Sequence, residues 1–110
     1  MTEADVDAII AGYNWKLIPP HMHMAVKNWV KYGRPGGGFL SAMMEHNVYD
    51  AIGRADLENQ KAIVDWVKFM HNYLPGGCHG SEKTVSEWYR NGGLVGRYVK
   101  EDREIEEHTA

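Results

Sequence analysis

The chain is poor in cysteine, in basic charge and in long apolar runs. Cys78 is the only cysteine among 110 residues, so no internal disulfide can form and a reducing compartment is expected. The net charge of −3 argues against a general nucleic-acid binder, which usually carries a basic excess. No apolar run approaches the ~20 residues that a membrane span needs. The segment 1–5 is acidic and unlike a signal peptide, so we expect a cytoplasmic protein.

Motifs with a specific catalytic meaning are also missing. No glycine loop ends in the Gly-Lys-Ser type of a nucleotide hydrolase, and no histidine pair has the i, i+4 spacing of a helical zinc site. Cys78 and His79 are adjacent, but a catalytic Cys–His pair is usually brought together by the fold rather than by sequence. The sequence therefore favours a protein that is not an enzyme and predicts no cofactor and no metal.

What the chain does contain is typical of a small helical domain. The hydrophobic share of 44% and the charged share of 25% are those of an ordinary globular protein. Apolar spacing and capping residues predict an all-α, single-domain bundle of four to five helices with glycine-rich connections. The predicted helices are 3–11, 20–32, 38–53 with a break near 46–48, 57–74 and 82–91. A short extended segment is expected over 13–18, and a charged tail over 97–110 follows a helical domain over 1–96.

The glycine-rich stretch between the second and third helices is the first candidate site. Gly33 suits the left-handed position that ends a helix, and Pro35 prevents the helix from resuming. Gly36, Gly37 and Gly38 then lead into a helix N-terminus, whose amide groups favour an anion, with Arg34 beside them as a clamp. The same residues also suit a plain turn that needs positive φ angles, and this alternative stays open.

Further positions extend the candidate anion site. Gly80-Ser81 precedes the last helix, with His79 beside it, and the two glycine loops could lie at one end of the bundle. Ser81 is also an ordinary helix cap, and Arg54 could pair with Asp56 instead. Aromatic rings near helix ends could stack on a base, although packing at the edge of the core explains them as well. The complete set of candidate ligand-binding residues is Lys27, Tyr32, Arg34, Gly36, Gly37, Gly38, Arg54, His79, Ser81 and Tyr89.

The order of several short motifs resembles a protein family. These motifs are Ile18-Pro19-Pro20-His21-Met22, Val30-Lys31-Tyr32-Gly33, Gly37-Gly38-Phe39-Leu40-Ser41-Ala42, Ala51-Ile52-Gly53-Arg54-Ala55-Asp56 with Asn59, and Pro75 through Cys78-His79-Gly80-Ser81 with Trp88. Over about residues 18–93 the chain is similar to a family of short, uncharacterised proteins encoded by phages and prophages. The resemblance implies a helical fold and a phage context, with the host cytoplasm as location, and no mechanism.

Two functional hypotheses follow. In the first, the protein binds and sequesters a small anionic, nucleotide-like ligand, a host immune signal in the phage context. In the second, aromatic residues and Met43, Met44 and Met70 form an adaptable surface that inhibits a host protein. Self-association into a homo-oligomer is expected in either case, because a small domain with a wide apolar stripe often completes its core with a copy of itself.

Overall fold

The computed structural model describes residues 1–99, and these form seven α-helices without a β-strand in that range. The helices are α1 (Glu3–Ala11), α2 (His23–Tyr32), α3 (Gly38–Met44), α4 (Val48–Arg54), α5 (Leu57–Lys61), α6 (Ile63–Tyr73) and α7 (Glu82–Asn91). Short 3-10 turns lie at Trp15–Leu17, Pro20–Met22 and Gly76–Cys78, and a π-helical turn at Val95–Val99. The predicted all-α class is confirmed. No helix in residues 1–99 is long and apolar enough to cross a membrane.

Local capping signals place most helix ends where the sequence predicts them. Thr2 accepts a hydrogen bond from the Asp5 backbone N–H, and Asp5 accepts one from Thr2 in return, which forms the capping box of α1. Ser81 caps α7 through the Thr84 N–H. Gly33 ends α2 with a φ of 70°, the left-handed conformation that glycine adopts without steric cost.

Two predicted elements differ in the structure. The segment 13–18 is not extended as a whole: Asn14 caps a 3-10 turn at Trp15–Leu17, and Ile18, which precedes a proline, has extended angles. The predicted helix 57–74 is divided at Ala62 into α5 and α6. The predicted break in helix 38–53 is confirmed, because α3 ends at Met44 and Asn47 caps α4.

The buried face of α6 differs from the face that apolar periodicity predicts. The apolar stripe over 57–74 predicts Val64 and Val67 to be buried, but both are exposed, whereas Phe69, which lies outside that stripe, is fully buried. Periodicity over 38–53 likewise predicts Val48 and Ile52 to face inward, and both are exposed on α4. Periodicity therefore identifies four aliphatic side chains as core that lie on the surface of α4 and α6.

The four tryptophans brace the core through their indole N–H groups. Trp88 donates to the Trp29 carbonyl at 2.8 Å, and Trp29 donates to the Cys78 carbonyl at 3.0 Å. Trp66 donates to the Asn59 side chain at 3.1 Å, and Trp15 to the Ile10 carbonyl at 2.9 Å. Each large ring thus adds apolar area to the core while its polar atom is satisfied.

The C-terminal ends of α2 and α7 meet backbone to backbone. A Cβ on Gly33 would lie 2.8 Å from the Trp88 carbonyl oxygen, and a Cβ on Gly93 would lie 2.6 Å from the Gly33 nitrogen. The helical turn after α7 continues past the predicted domain end at 96, and Val99 is buried. Residues 100–110 of the predicted tail lie outside the described residues.

Candidate functional site

A groove with three histidines lies between α3, α4, α6 and the loop before α7. It has a volume of about 270 Å³ and is lined by Met43, His46, Val48, Val67, Met70, His71 and His79. This is nearly twice the ~150 Å³ of an engineered apolar cavity that holds benzene. Apart from the histidines the lining is apolar, so the groove suits a ring or a short chain that also carries a polar end.

His46 reaches the groove from an unusual backbone position. It lies between α3 and α4 with a φ of 61°, the only positive φ at a non-glycine residue in the described part of the chain. The Asn47 N–H bonds to the Ala42 carbonyl and the Asn47 side chain caps α4, so both neighbouring helices fix this corner. Such a conformation costs ~1–3 kcal/mol and is often retained at functional sites.

His79 is held by hydrogen bonds on both sides of it in the chain. The Cys78 carbonyl accepts the indole N–H of Trp29, and the Gly80 N–H donates to the Met44 carbonyl at 2.8 Å. The loop therefore sits on the C-terminal end of α3. On α6, Val67, Met70 and His71 share one face through their i, i+3 and i+4 spacing and form the opposite side of the groove.

Two of the imidazole rings are in direct contact. His46 Nε2 and His79 Nδ1 lie 2.7 Å apart, a hydrogen-bonding distance, with ring centroids 5.0 Å apart. Burial lowers the pKa of His79 below its ordinary value, and positive charge on His46 or His71 lowers it further. The His79 ring is therefore neutral near pH 7 in the ligand-free protein.

The structure distributes the ten sequence-predicted ligand residues over several places. Lys27 lies over the Trp15 ring at 5.1 Å, and the Tyr32 hydroxyl donates to Glu3 at 2.9 Å. Lys27 and Tyr32 line a groove between α1 and α2 that also contains Asp7 and Lys31. Tyr89 lines a third groove together with the carboxylates Glu45 and Glu82, an unfavourable setting for an anion.

The glycine hinge, residues 33–38, offers less space for an anion than the sequence predicts. Gly36 faces Ala25 and Leu40 and borders a cavity of only about 10 Å³, about one water molecule. Gly37 is exposed with a φ of 97°, as the turn alternative requires.

Two arginines lie near this hinge. The Arg54 side chain lies against Gly38, because a Cβ added to Gly38 would be 2.7 Å from Arg54 Nη1. Arg54 Nε donates to Asp50 rather than to Asp56. The Arg34 guanidinium stacks on the Tyr32 ring at 4.4 Å. Of the residues proposed for one anion site, Arg54 and Gly38 are thus brought together, and Arg34 and Tyr32 form a separate pair.

The second glycine loop lies elsewhere. Gly80 meets the C-terminal end of α3, whereas Gly38 begins that helix, so the two loops are separated by ~10 Å, the length of seven helical residues. The Ser81 hydroxyl is engaged in its cap and in a 3.1 Å bond to the Thr84 hydroxyl. Only His79 of the loop's candidate residues lines the histidine groove.

Sequence reasoning did not assemble the histidine groove. His46 and His79 are 33 positions apart, and His71 lies on a different helix. The only local signal is the helix break at Asn47, which places His46 at a corner. Because the three histidines reach one groove only through the packing of α3, α6 and the loop, no spacing rule could have joined them.

The other reactive groups of the site region have structural roles. Cys78 is fully buried, and burial raises the pKa of its thiol to about 12, which removes the thiolate that a nucleophile needs. Within residues 1–99, no three His, Cys, Asp or Glu side chains are grouped so that they could hold a metal ion. Comparisons with protein-family models, curated proteins and solved structures return no match for this chain.

Proposed function

We propose that the protein binds and sequesters a small organic anion with an apolar, ring-like body, and that the histidine groove is the site. The observation that carries this proposal is the composition of the groove. Two valines and two methionines supply an apolar wall, and three imidazoles supply the polar groups. A ligand pocket of this kind gains affinity from the apolar part and orientation from a few polar contacts.

Size and charge narrow the class of ligand. The volume of about 270 Å³ matches a nucleobase or another small aromatic system better than a complete dinucleotide. The lining contains no Asp or Glu, so no carboxylate opposes an anion there. In the phage context that the sequence resemblance suggests, a nucleotide-like host signal fits this description, with its base in the groove and its charge at the histidines.

Two valines on α6 offer a matched test. Val67 lines the groove, and Val64 lies one turn earlier, is also exposed and does not line it. We expect Val67→Glu to weaken binding of naphthalene-2-sulfonate or AMP at least tenfold by isothermal titration calorimetry, because the carboxylate occupies the groove and repels the anion. Val64→Glu introduces the same charge and should leave the affinity unchanged. If no anion from a panel of aromatic sulfonates, carboxylates and nucleotides binds, the proposal is refuted.

The interaction module predicted from the sequence is a second candidate with one supporting observation. Met43, Met44 and Met70 are buried, so they do not form the expected adaptable surface. What supports an interface is the exposure of the aliphatic side chains Val48, Ile52, Val64 and Val67 on α4 and α6. If a protein partner or a second copy of the chain binds this face, both Val64→Glu and Val67→Glu should abolish its binding. Analytical ultracentrifugation and pull-down of the two variants therefore separate the two functions.

A further inference from the structure

The contact between His46 and His79 fixes how many protons the two rings can hold. One hydrogen atom lies between Nε2 of His46 and Nδ1 of His79, because two nitrogens 2.7 Å apart cannot both carry one. In the neutral pair, one of the two outward nitrogens carries a hydrogen and the other is a bare acceptor. Adding one proton to the pair keeps the central bond and makes both outward nitrogens donors. A second added proton would break the bond.

These protonation states distinguish an anion from a neutral ligand. An anionic oxygen only accepts hydrogen bonds, so it pairs poorly with a bare nitrogen and well with a charged pair that presents two donors. A neutral ligand of the same shape gains nothing from the added charge. The singly protonated pair is thus the form that an anion stabilises.

The surroundings leave the required positive charge to histidine. Among the seven lining residues there is no Lys or Arg and no Asp or Glu, and His71 of α6 is the only other titratable group. Protonated His46 or His71 acts on His79 as a like charge, which disfavours a proton on His79 in the empty groove. The negative charge of a bound anion offsets part of this repulsion, so one ring can hold a proton more easily.

From this geometry we propose that the groove takes up one proton from solvent with each organic anion it binds, and that the His46–His79 pair holds it. The inference rests on the proposed function, since it concerns the same groove. It identifies the ligands as anions whose affinity increases on acidification. Wherever the ligand-free pair is neutral, the dissociation constant should rise about tenfold for each pH unit, as linkage of one proton requires.

Calorimetry with a matched ligand pair tests the proton uptake. Naphthalene-2-sulfonate stays charged at neutral pH, so any proton that it draws in goes to the protein, and naphthalene-2-sulfonamide is a neutral analogue of similar shape. Titrations of the full chain in buffers with different ionisation enthalpies give the number of protons bound per ligand. We expect about one proton for the sulfonate and about none for the sulfonamide.

Three variants assign the proton. His79→Gln and His46→Gln each remove one member of the pair, and either should abolish the uptake while weakening sulfonate binding. His71→Gln keeps the pair and should keep the uptake. Sulfonate binding without proton uptake, or uptake that is lost only with His71→Gln, would overturn the inference and leave the proposed function intact. Absence of binding by every aromatic sulfonate, carboxylate and nucleotide of the panel, at every pH from about 5 to 8, would instead refute the proposed function itself.

Discussion

Replacing Asn59 by alanine should be among the most damaging single changes in the described structure. Asn59 is 2% exposed, and its side-chain oxygen accepts the N–H of the fully buried Trp66 at 3.1 Å. The variant leaves this donor unsatisfied, which costs ~1–3 kcal/mol. A residual cavity of roughly 40 Å³ adds ~1 kcal/mol at about 24 cal/mol per Å³. The better helix propensity of alanine returns ~0.5 kcal/mol.

The net loss of ~1.5–3.5 kcal/mol is a large part of the ~5–15 kcal/mol that stabilises a typical domain. Urea unfolding followed by far-UV circular dichroism measures it, and Gln60→Ala, the exposed neighbour on α5, is the control with an expected change under ~0.5 kcal/mol. Trp66→Phe removes the donor instead. The double variant should then lose less than the sum of the single variants, by about 1–2 kcal/mol. Additive losses would show that the hydrogen bond contributes nothing, and the reasoning would be wrong.

Three further predictions concern other positions. Tyr13→Phe should leave stability unchanged or raise it by up to ~1 kcal/mol, because the buried hydroxyl has no hydrogen-bond partner among residues 1–99; a clear loss in urea unfolding would contradict this. Gly33→Ala should cost about 3 kcal/mol, since a left-handed alanine costs ~1–2 kcal/mol and its Cβ would meet backbone atoms at 2.8 and 2.9 Å. Gly53→Ala in α4, where the described part of the chain places no neighbouring atom within 4 Å of the added Cβ, should instead stabilise by ~0.5–1 kcal/mol in the same assay. The pKa of His79 is lowered in the folded protein, so the unfolded chain binds more protons near pH 6 and the free energy of unfolding falls as the pH drops below about 6.5. His79→Gln should therefore flatten the change in the urea midpoint between about pH 7.5 and 5.5. An unchanged pH dependence would refute the assignment to His79.

Helix ends could be predicted from the sequence because their signals are local. Thr2, Asp56 and Ser81 cap helices through bonds to backbone groups three residues away, and the glycines at 33 and 92 adopt the left-handed conformation that ends α2 and α7. In each case the signal and the structure it specifies lie within one turn, so no knowledge of the tertiary fold is needed.

Other parts of the fold depend on contacts that the sequence does not reveal. Trp15 forms a 3-10 turn where alternation suggests an extended segment, and its indole is tied to the Ile10 carbonyl. Helix 57–74 is interrupted at Ala62 although no glycine or proline marks the position, and α6 buries Phe69 rather than Val64 and Val67. Tertiary packing decides both outcomes against local preference.

In the candidate site, too, some features can be predicted from neighbouring residues and others depend on the tertiary fold. The sequence predicts a turn or an anion site at Gly36–Gly38, and it shows both alternatives because each depends only on neighbouring residues. The histidine groove joins residues from a helix corner, a helix face and a loop, so the sequence contains these residues without showing their arrangement. His79 is the one member of the groove among the predicted ligand residues.

Two hydrogen bonds affect how tightly the groove can bind a ligand: Trp29 donates to the Cys78 carbonyl, and Gly80 donates to the Met44 carbonyl. The segment that carries His79 is anchored on both flanks, to α2 and to the end of α3. A ligand of the proposed kind would therefore meet a preorganised groove and would not need to order this loop. This spares an entropic penalty of ~0.5–1.5 kcal/mol for each side chain that binding would otherwise immobilise. Such rigidity would favour the binding of a ligand at low concentration, which sequestration requires.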